Sequence, residues 1–216
     1  MKLIHSFGPN PRLVRMFLIE KGLDLPTREV DLMGGENRRP PYTDENPGGQ
    51  MPALELDDGT IIGETVTICE YIEEKHPEPA LIGKTPEERA NTSQWQRRIE
   101  LGITEHMYNA FRYAEGIEIF KDRLHCIPEA ADGLKEKARK GLEWLDAQMK
   151  GRDYVTGDVL RLPDIFLFCC IDFMQGVGQP LDPSLKNLAA WYARMEARPS
   201  ASKSLHPAHE QVGMKG

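Results

Sequence analysis

The chain has 216 residues, of which 40% are apolar and 28% are charged, and its formal net charge is −7. This composition supports a folded protein of one or two domains and excludes a disordered polymer. The acidic balance disfavours a nucleic-acid binder, because such proteins depend on Lys and Arg at phosphates. No run of about 18 apolar residues is present, so we expect no membrane span.

The cysteines and histidines indicate neither a disulfide framework nor a metal site. The four cysteines show no CxxC spacing, and three of them lie in apolar, helix-like stretches. The six histidines lack the spacing of metal ligands. The chain opens on MKLIHSF, without the apolar segment of a signal peptide. We therefore expect buried, reduced thiols, no metal and a cytoplasmic location.

The first part of the chain mixes strand and helix patterns. LIHSF is a short apolar strand, Arg12 to Lys21 is a helix that stops at Gly22, and REVDL is a second strand. Residues 33–49 are rich in Gly, Pro, Asn and charge, which predicts a loop with at most a short helix.

PALEL and TIIG then form a hairpin around Asp57-Asp58-Gly59. A helix runs from Thr65 to about His76.

The remainder is predicted to be helical. The Pro- and Gly-containing stretch PEPALIGKT indicates a linker, so the expected domains are 1–77 and 86–216, joined by 78–85. The apolar stretch after Pro163 predicts a helix that is buried on nearly all sides. The predicted helices are Pro86 to about Tyr113, Pro128 to Met149, the helix from Pro163, and a last one capped by Ser184.

The stretch FGPNPRLVR, residues 7–15, combines a helix start with a possible chemical role. Asn10 precedes Pro11, which disfavours helical backbone at Asn10 and suits it as an N-cap. A helix N-terminus is also an anion site, and there the Asn10 amide or the Ser6 hydroxyl can donate to a thiolate. The two interpretations are compatible.

Two further short motifs carry alternatives. In Gln50-Met51-Pro52, a trans proline at a strand start is favoured by spacing alone. A cis bond would instead turn the Met51 backbone outward to pair with a peptide-like ligand. In Glu64-Thr65, a helix cap competes with a site at which Thr65 holds a ligand carboxylate and Glu64 an ammonium group.

The order of these motifs resembles the cytosolic glutathione transferase superfamily. The resemblance rests on NPGGQMPALELDDGTIIGET at 46–65 and GDVLRLPDI at 157–165. It implies an α+β two-domain fold, with a thioredoxin-like β-α-β-α-β-β-α domain followed by an all-α domain. The second motif departs from the family at Arg161, where a Ser or Thr cap is usual. This departure concerns the stability of one helix start and not the fold.

The resemblance also implies a glutathione site in the first domain. Glu64 and Thr65 would hold the γ-glutamyl end, and Met51, before a cis Pro52, would pair with the cysteinyl part. The glycyl carboxylate would be met by Gln50 and by one of two loop arginines, whose alternative is a solvated loop. The implied glutathione-binding residues are Gln50, Met51, Pro52, Glu64, Thr65, Arg38 and Arg39.

At the catalytic position the chain departs from the Tyr, Ser or Cys usual in the family. Asn10 stands where the beta class has cysteine, and the Pro-Asn pair partly resembles the nu class, with Gly8 in place of its threonine. We predict that Asn10 contacts the glutathione sulfur, with Ser6 as the less favoured candidate.

The resemblance places an electrophile site between the two domains. Its candidate residues are Phe7, His106, Tyr108 and Arg112. Tyr108 and Arg112 are one turn apart and share a face that lines either the substrate or the domain contact. For His106, a packing or surface position is the alternative to a catalytic role.

The leading functional hypothesis is a homodimeric glutathione transferase that detoxifies small electrophiles, with glutathione as co-substrate. The second is a glutathione-dependent disulfide reductase or peroxidase. The third is a non-catalytic, regulatory member that binds glutathione.

Overall fold

The computed structural model describes residues 1–216 as two compact units. One unit comprises Met1–Ile82 together with Arg198–Gly216, and the other comprises Gly83–Ala197. The sequence predicts residues 198–216 as part of the helical half, whereas in the structure they pack with the N-terminal unit. This difference arises from long-range contacts, because the segment has no local pattern that indicates its packing partner.

The N-terminal unit contains a mixed four-stranded sheet. Its strands are β1 (Lys2–His5), β2 (Thr27–Glu29), β3 (Ala53–Glu55) and β4 (Ile61–Ile62). They are arranged in the order β2-β1-β3-β4, with β1 parallel to β2 and the other two pairs antiparallel. Leu56 to Thr60 connect β3 to β4, as the Asp-Asp-Gly turn predicts. The thioredoxin-like strand order and the all-helical second half are confirmed.

The helices follow the predicted order along the chain. They are α1 (Pro9–Lys21), α2 (Tyr42–Glu45), α3 (Thr65–Lys75), α4 (Pro86–Ile99), α5 (Glu105–Tyr113), α6 (Ile117–Phe120), α7 (Ala131–Gln148), α8 (Leu162–Gly176), α9 (Lys186–Glu196), α10 (Pro199–Lys203) and α11 (His209–Val212). A π-helical turn at Glu100–Thr104 joins α4 to α5, so the long helix predicted after Pro86 is one continuous helical run. Short 3₁₀ turns occur at Glu36–Arg38 and Pro128–Ala130.

The predicted stop of α1 is confirmed at Gly22. Its φ of 66° is left-handed, and its N–H donates to the carbonyl of Ile19 at 3.0 Å. Glycine adopts this conformation without a Cβ penalty, so a single residue ends the helix locally.

Helix α8 is the most buried element of the helical unit. Every residue from Leu162 to Met174 is buried, as its apolar sequence predicts. Its start is held by Asp164, whose carboxylate accepts the backbone N–H of Arg161 at 3.0 Å. Leu160 and Ile165, which flank this turn and occupy the two positions of the predicted apolar staple, are both buried. Arg161 directs its guanidinium to Glu88, at 3.2 Å.

The predicted cap at Ser184 is wrong. Helix α9 begins at Lys186, and the N–H of Ser184 donates to the Asp182 carboxylate at 2.8 Å. Asp182 therefore forms a local turn before the helix, and this turn takes the place of the predicted serine cap.

All four cysteines are free thiols, and three of them are buried, as predicted. No helix is both long and apolar enough to cross a lipid bilayer.

Candidate functional site

Three chain segments meet at one end of the sheet in the N-terminal unit. The antiparallel registers pair Ile4 with Ala53 and Leu54 with Ile62. Continuing the first register by two residues places Ser6 opposite Met51, and continuing the second places Glu64 opposite Pro52. The N-termini of α1 and α3 follow directly from these strand ends. Ser6, Met51, Pro52 and Glu64 are therefore brought to one end of the sheet.

Asn10 lies inside helix α1, so its predicted role as the N-cap is wrong. The helix begins at Pro9, one residue before Asn10, and Gly8 is its cap residue. The first helical hydrogen bond runs from the Arg12 N–H to the Gly8 carbonyl at 3.1 Å. Pro11 falls within the first turn, where its missing N–H leaves no helical bond unmade. Helical backbone at Asn10 is thereby tolerated despite the following proline.

The two prolines alter the anion-binding capacity of this helix end. A helix start normally offers several unpaired N–H groups, but Pro9 and Pro11 have none. Gly216 packs against Gly8: a Cβ built on it would lie 2.7 Å from the Gly8 nitrogen. Asn10 therefore provides the remaining backbone N–H of the turn, and its half-buried side chain forms no capping bond.

Ser6 and Phe7 connect β1 to α1 and are both buried. The carbonyl of Ser6 accepts a hydrogen bond from the Arg15 guanidinium at 3.1 Å, which fixes the backbone of this turn. The ring of Phe7 packs edge-on to His206 at a centroid distance of 6.2 Å. Phe7 thus presents only a small fraction of its ring to any ligand.

The Met51–Pro52 peptide bond is cis, as the family resemblance implies and against the expectation from spacing alone. Met51 lies outside the β1–β3 ladder, which begins at Ala53. The backbone N–H and C=O of Met51 form no hydrogen bond within the chain. They are therefore available to an extended peptide-like ligand.

Glu64 has an unusual backbone conformation. It is the one non-glycine residue with positive φ, at 65°, and it directly precedes α3. Glu64 is the N-cap residue of α3 by position, but its exposed side chain forms no capping hydrogen bond. Strain of this kind is found where surrounding structure holds a residue for function. Thr65 occupies the first position of α3, where the N–H groups point out of the helix end.

The loop before Met51 is held by three polar side chains that are not among the predicted site residues: Asn37 and Tyr42 are buried, and Asn46 is half-buried. The Tyr42 hydroxyl donates to the Gln50 carbonyl at 2.6 Å, and the Asn46 amide donates to the same oxygen at 2.9 Å. The Asn37 amide donates to the Gly49 carbonyl at 2.6 Å. Burial raises the pKa of Tyr42, which keeps its hydroxyl protonated. The sequence feature that could have indicated Tyr42 is its aromatic side chain in a loop otherwise rich in Gly, Pro and charge.

Arg38, Arg39 and Gln50 are exposed on this loop. A Cβ built on Gly49 would lie 3.6 Å from the Arg38 guanidinium, so this arginine is close to the backbone that leads into Gln50. The arrangement provides cationic and amide donors beside Met51.

The other predicted residues, His106, Tyr108 and Arg112, lie on α5 of the helical unit. The Arg112 guanidinium lies 5.8 Å from the centre of the Tyr108 ring, so the two share a helix face as predicted. Burial, together with the neighbouring Cys170 thiol, raises the pKa of Tyr108 well above its ordinary value. Burial lowers the pKa of His106, which favours its neutral form.

Comparison with known proteins identifies the class of this fold and site. Residues 3–80 match the model of the glutathione S-transferase N-terminal domain, and residues 128–194 match that of the C-terminal domain. Glutathione S-transferase 2 of Saccharomyces cerevisiae is 32% identical over 92% of this chain and 86% of its own length. Glutathione S-transferase F10 of Arabidopsis thaliana is 33% identical, with 89% of each chain covered.

A solved structure agrees with this assignment. The crystal structure of Gtt2 from S. cerevisiae superimposes with a TM-score of 0.87 at 31% identity, covering 95% of this chain and all of that one. The chain belongs to the glutathione S-transferase family. The chain is therefore a glutathione transferase, and the family uses glutathione as its co-substrate.

Proposed function

We propose that glutathione binds across the end of the sheet that carries Met51, Glu64 and the start of α1. The free N–H and C=O of Met51 pair with the cysteinyl part of the tripeptide as a short added strand. This proposal is supported chiefly by the absence of any intrachain partner for that backbone.

The two ends of the tripeptide are assigned to charged and polar groups on either side of Met51. The Glu64 carboxylate pairs with the γ-glutamyl ammonium group, and the start of α3 at Thr65 binds the neighbouring carboxylate. Gln50, with Arg38 or Arg39, binds the glycyl carboxylate. The exposed positions of these loop side chains support this assignment.

The sulfur is assigned to Asn10, with Ser6 as the alternative. A free thiol has a pKa of about 8.5 and is only a few per cent ionised near neutral pH. Lowering that pKa by about two units requires roughly 2.7 kcal/mol of preference for the thiolate. A hydrogen bond to an anion supplies about 1.5–3 kcal/mol, and a helix terminus adds about 0.3–1 kcal/mol. Together these contributions span about 1.8–4 kcal/mol, a range that includes the roughly 2.7 kcal/mol required, so the mechanism needs no acidic hydroxyl beside the sulfur.

In the reaction, the thiolate attacks an electrophilic carbon of a small apolar substrate. A sulfur–carbon bond forms, the leaving group departs with the bonding electrons, and the thiol proton passes to solvent. The face of α5 that carries Tyr108 and Arg112 is assigned to substrate binding, with His106 and Phe7 as further candidates. We also assign a homodimeric assembly and a cytoplasmic location, both on family membership alone.

The test combines glutathione titration with conjugation to an activated aryl halide. Asn10→Ala should lower kcat/KM by about tenfold to a hundredfold, which corresponds to one lost hydrogen bond to an anion. It should also shift the pH dependence of thiolate absorbance toward that of free glutathione. Ser6→Ala should change both quantities much less.

Unchanged activity and unchanged thiolate titration in Asn10→Ala would remove Asn10 from the mechanism. Turnover of disulfides or peroxides but not of the halide would favour the reductase or peroxidase alternative. Glutathione binding without any turnover would favour a non-catalytic role.

A further inference from the structure

The carbonyl oxygen of Gln50 is a point at which two side chains converge, the buried Tyr42 and the half-buried Asn46. It accepts hydrogen bonds from the Tyr42 hydroxyl at 2.6 Å and from the Asn46 amide at 2.9 Å. The same amide lies 3.3 Å from the Tyr42 hydroxyl, so the three groups form one connected network. Tyr42 is only 2% exposed, and its ring belongs to the core cluster that also contains Met51.

This network determines the direction of the next N–H group. The peptide bond between Gln50 and Met51 is trans. In a planar trans peptide, the C=O and the following N–H point in opposite directions. Because the Gln50 carbonyl is directed at Tyr42 and Asn46, the Met51 N–H is directed away from them. Hydrogen bonds to the carbonyl also polarise the peptide group and strengthen its N–H as a donor.

We infer that Tyr42 and Asn46 are positioning residues for glutathione, which they serve by orienting the peptide group that presents the Met51 N–H. This inference rests on the proposed pairing of Met51 with the tripeptide. Neither side chain touches the ligand. Both act through the Gln50 carbonyl, on the glutathione-binding step and not on the chemistry at sulfur.

The adjoining backbone has a matching support. Gly49, at φ 60°, directs its carbonyl to the buried Asn37 amide at 2.6 Å. A Cβ on Gly49 would lie 2.9 Å from the Asn37 carbonyl oxygen, so a side chain at this position would collide with the loop. The carbonyls of Gly49 and Gln50 are therefore both held by side chains of the preceding loop.

The first test is Tyr42→Phe, which removes the hydroxyl but keeps the buried ring. The KM for glutathione should rise about three- to tenfold, because one of two hydrogen bonds to the Gln50 carbonyl is lost. The kcat at saturating glutathione and the KM for the aryl halide should not change. Asn46→Asp replaces the donor with an oxygen that repels the carbonyl, so its KM for glutathione should rise by about tenfold or more.

Tyr71→Phe provides a matched hydroxyl deletion in the same unit. Tyr71 is half-buried on α3, and its hydroxyl forms no hydrogen bond in the structure, so the KM for glutathione should stay unchanged. A normal KM in both network variants would overturn the inference. Parallel changes in kcat, in the KM for the halide and in thermal stability would also overturn it, because they indicate a purely structural role.

Calorimetric titration of the unaltered chain separates the two proposals. If that chain does not bind glutathione, the proposed site fails and this inference fails with it. If it binds glutathione and both network variants bind equally well, only the positioning role is wrong.

Discussion

Among single residues, Glu64 shows a conflict between backbone preference and its proposed function. A φ of 65° with a ψ of 124° is a conformation that glycine adopts readily and glutamate does not. The conformation places a carboxylate at the strand end beside Met51 and the N-terminus of α3. The strain is retained where the proposed ligand ammonium group needs a negative charge.

Two substitutions separate the backbone from the charge. Glu64→Gly should raise the free energy of unfolding by about 1 kcal/mol, because relief of strain exceeds the added chain entropy. It should also raise the KM for glutathione by about tenfold or more through loss of the ion pair.

Glu64→Gln keeps the strain and removes the charge. Its KM should rise similarly while its stability stays unchanged, as measured by urea unfolding. A glycine variant that is less stable than the parent would contradict the assignment of strain.

Among elements, the start of α8 depends on one buried carboxylate. Asp164 is fully buried and accepts hydrogen bonds from the Val155 N–H at 2.8 Å, the Arg161 N–H at 3.0 Å and the Trp191 indole at 2.9 Å. It thereby joins the preceding loop, the first turn of α8 and helix α9. An arginine at the cap position is tolerated because the hydrogen bond at this helix start is made by the Asp164 carboxylate and not by the cap side chain.

Removing this carboxylate should destabilise the helical unit. Asp164→Ala leaves three donors unpaired, two of them buried, and should cost about 3 kcal/mol or more, whereas Asp164→Asn should cost about 1–2 kcal/mol. Tryptophan fluorescence during urea unfolding measures this effect, because all three tryptophans lie in Gly83–Ala197. Asp158→Asn, at an exposed position of the same loop, serves as the control. Equal midpoints for all four proteins would refute the role.

For the molecule as a whole, two buried groups predict opposite pH responses. Burial, followed by the Arg15 charge, lowers the pKa of His5 in the N-terminal unit. Its stabilising contribution is present above the ordinary histidine pKa of about 6.5 and is lost as pH falls below that value. In the helical unit, burial raises the pKa of Asp164 to about 6, so its contribution falls as pH rises from about 4 to 6.

His5→Gln tests the first of these responses. The variant keeps a polar group opposite Arg15 but does not titrate. Its unfolding midpoint, followed by circular dichroism, should fall less between pH 7 and pH 5 than that of the parent chain. An identical pH dependence in the two proteins would exclude His5 as a contributor.

The structural features that depend on interactions between near neighbours in the sequence were the ones most readily predicted. The stop at Gly22 was predicted correctly, because the αL conformation depends on one residue and its nearest carbonyls. Asn10 was misplaced as a cap, because a Pro-Asn-Pro run permits more than one starting residue for the helix. The Gln50 carbonyl network was missed, because its donors are separated from it in sequence and become neighbours only when the loop folds.

The sequence by itself determined the order of strands and helices, the two-part organisation and the family motifs. These follow from apolar periodicity, turn residues and Pro or Gly punctuation, whose energies act within a few residues. Only the tertiary structure decided that residues 198–216 join the N-terminal unit and that Tyr42 and Asn46 bind the Gln50 carbonyl. Arg12 on α1 contacts Ser204, a residue 192 positions away. Such contacts form only when distant segments pack, so no local pattern records them.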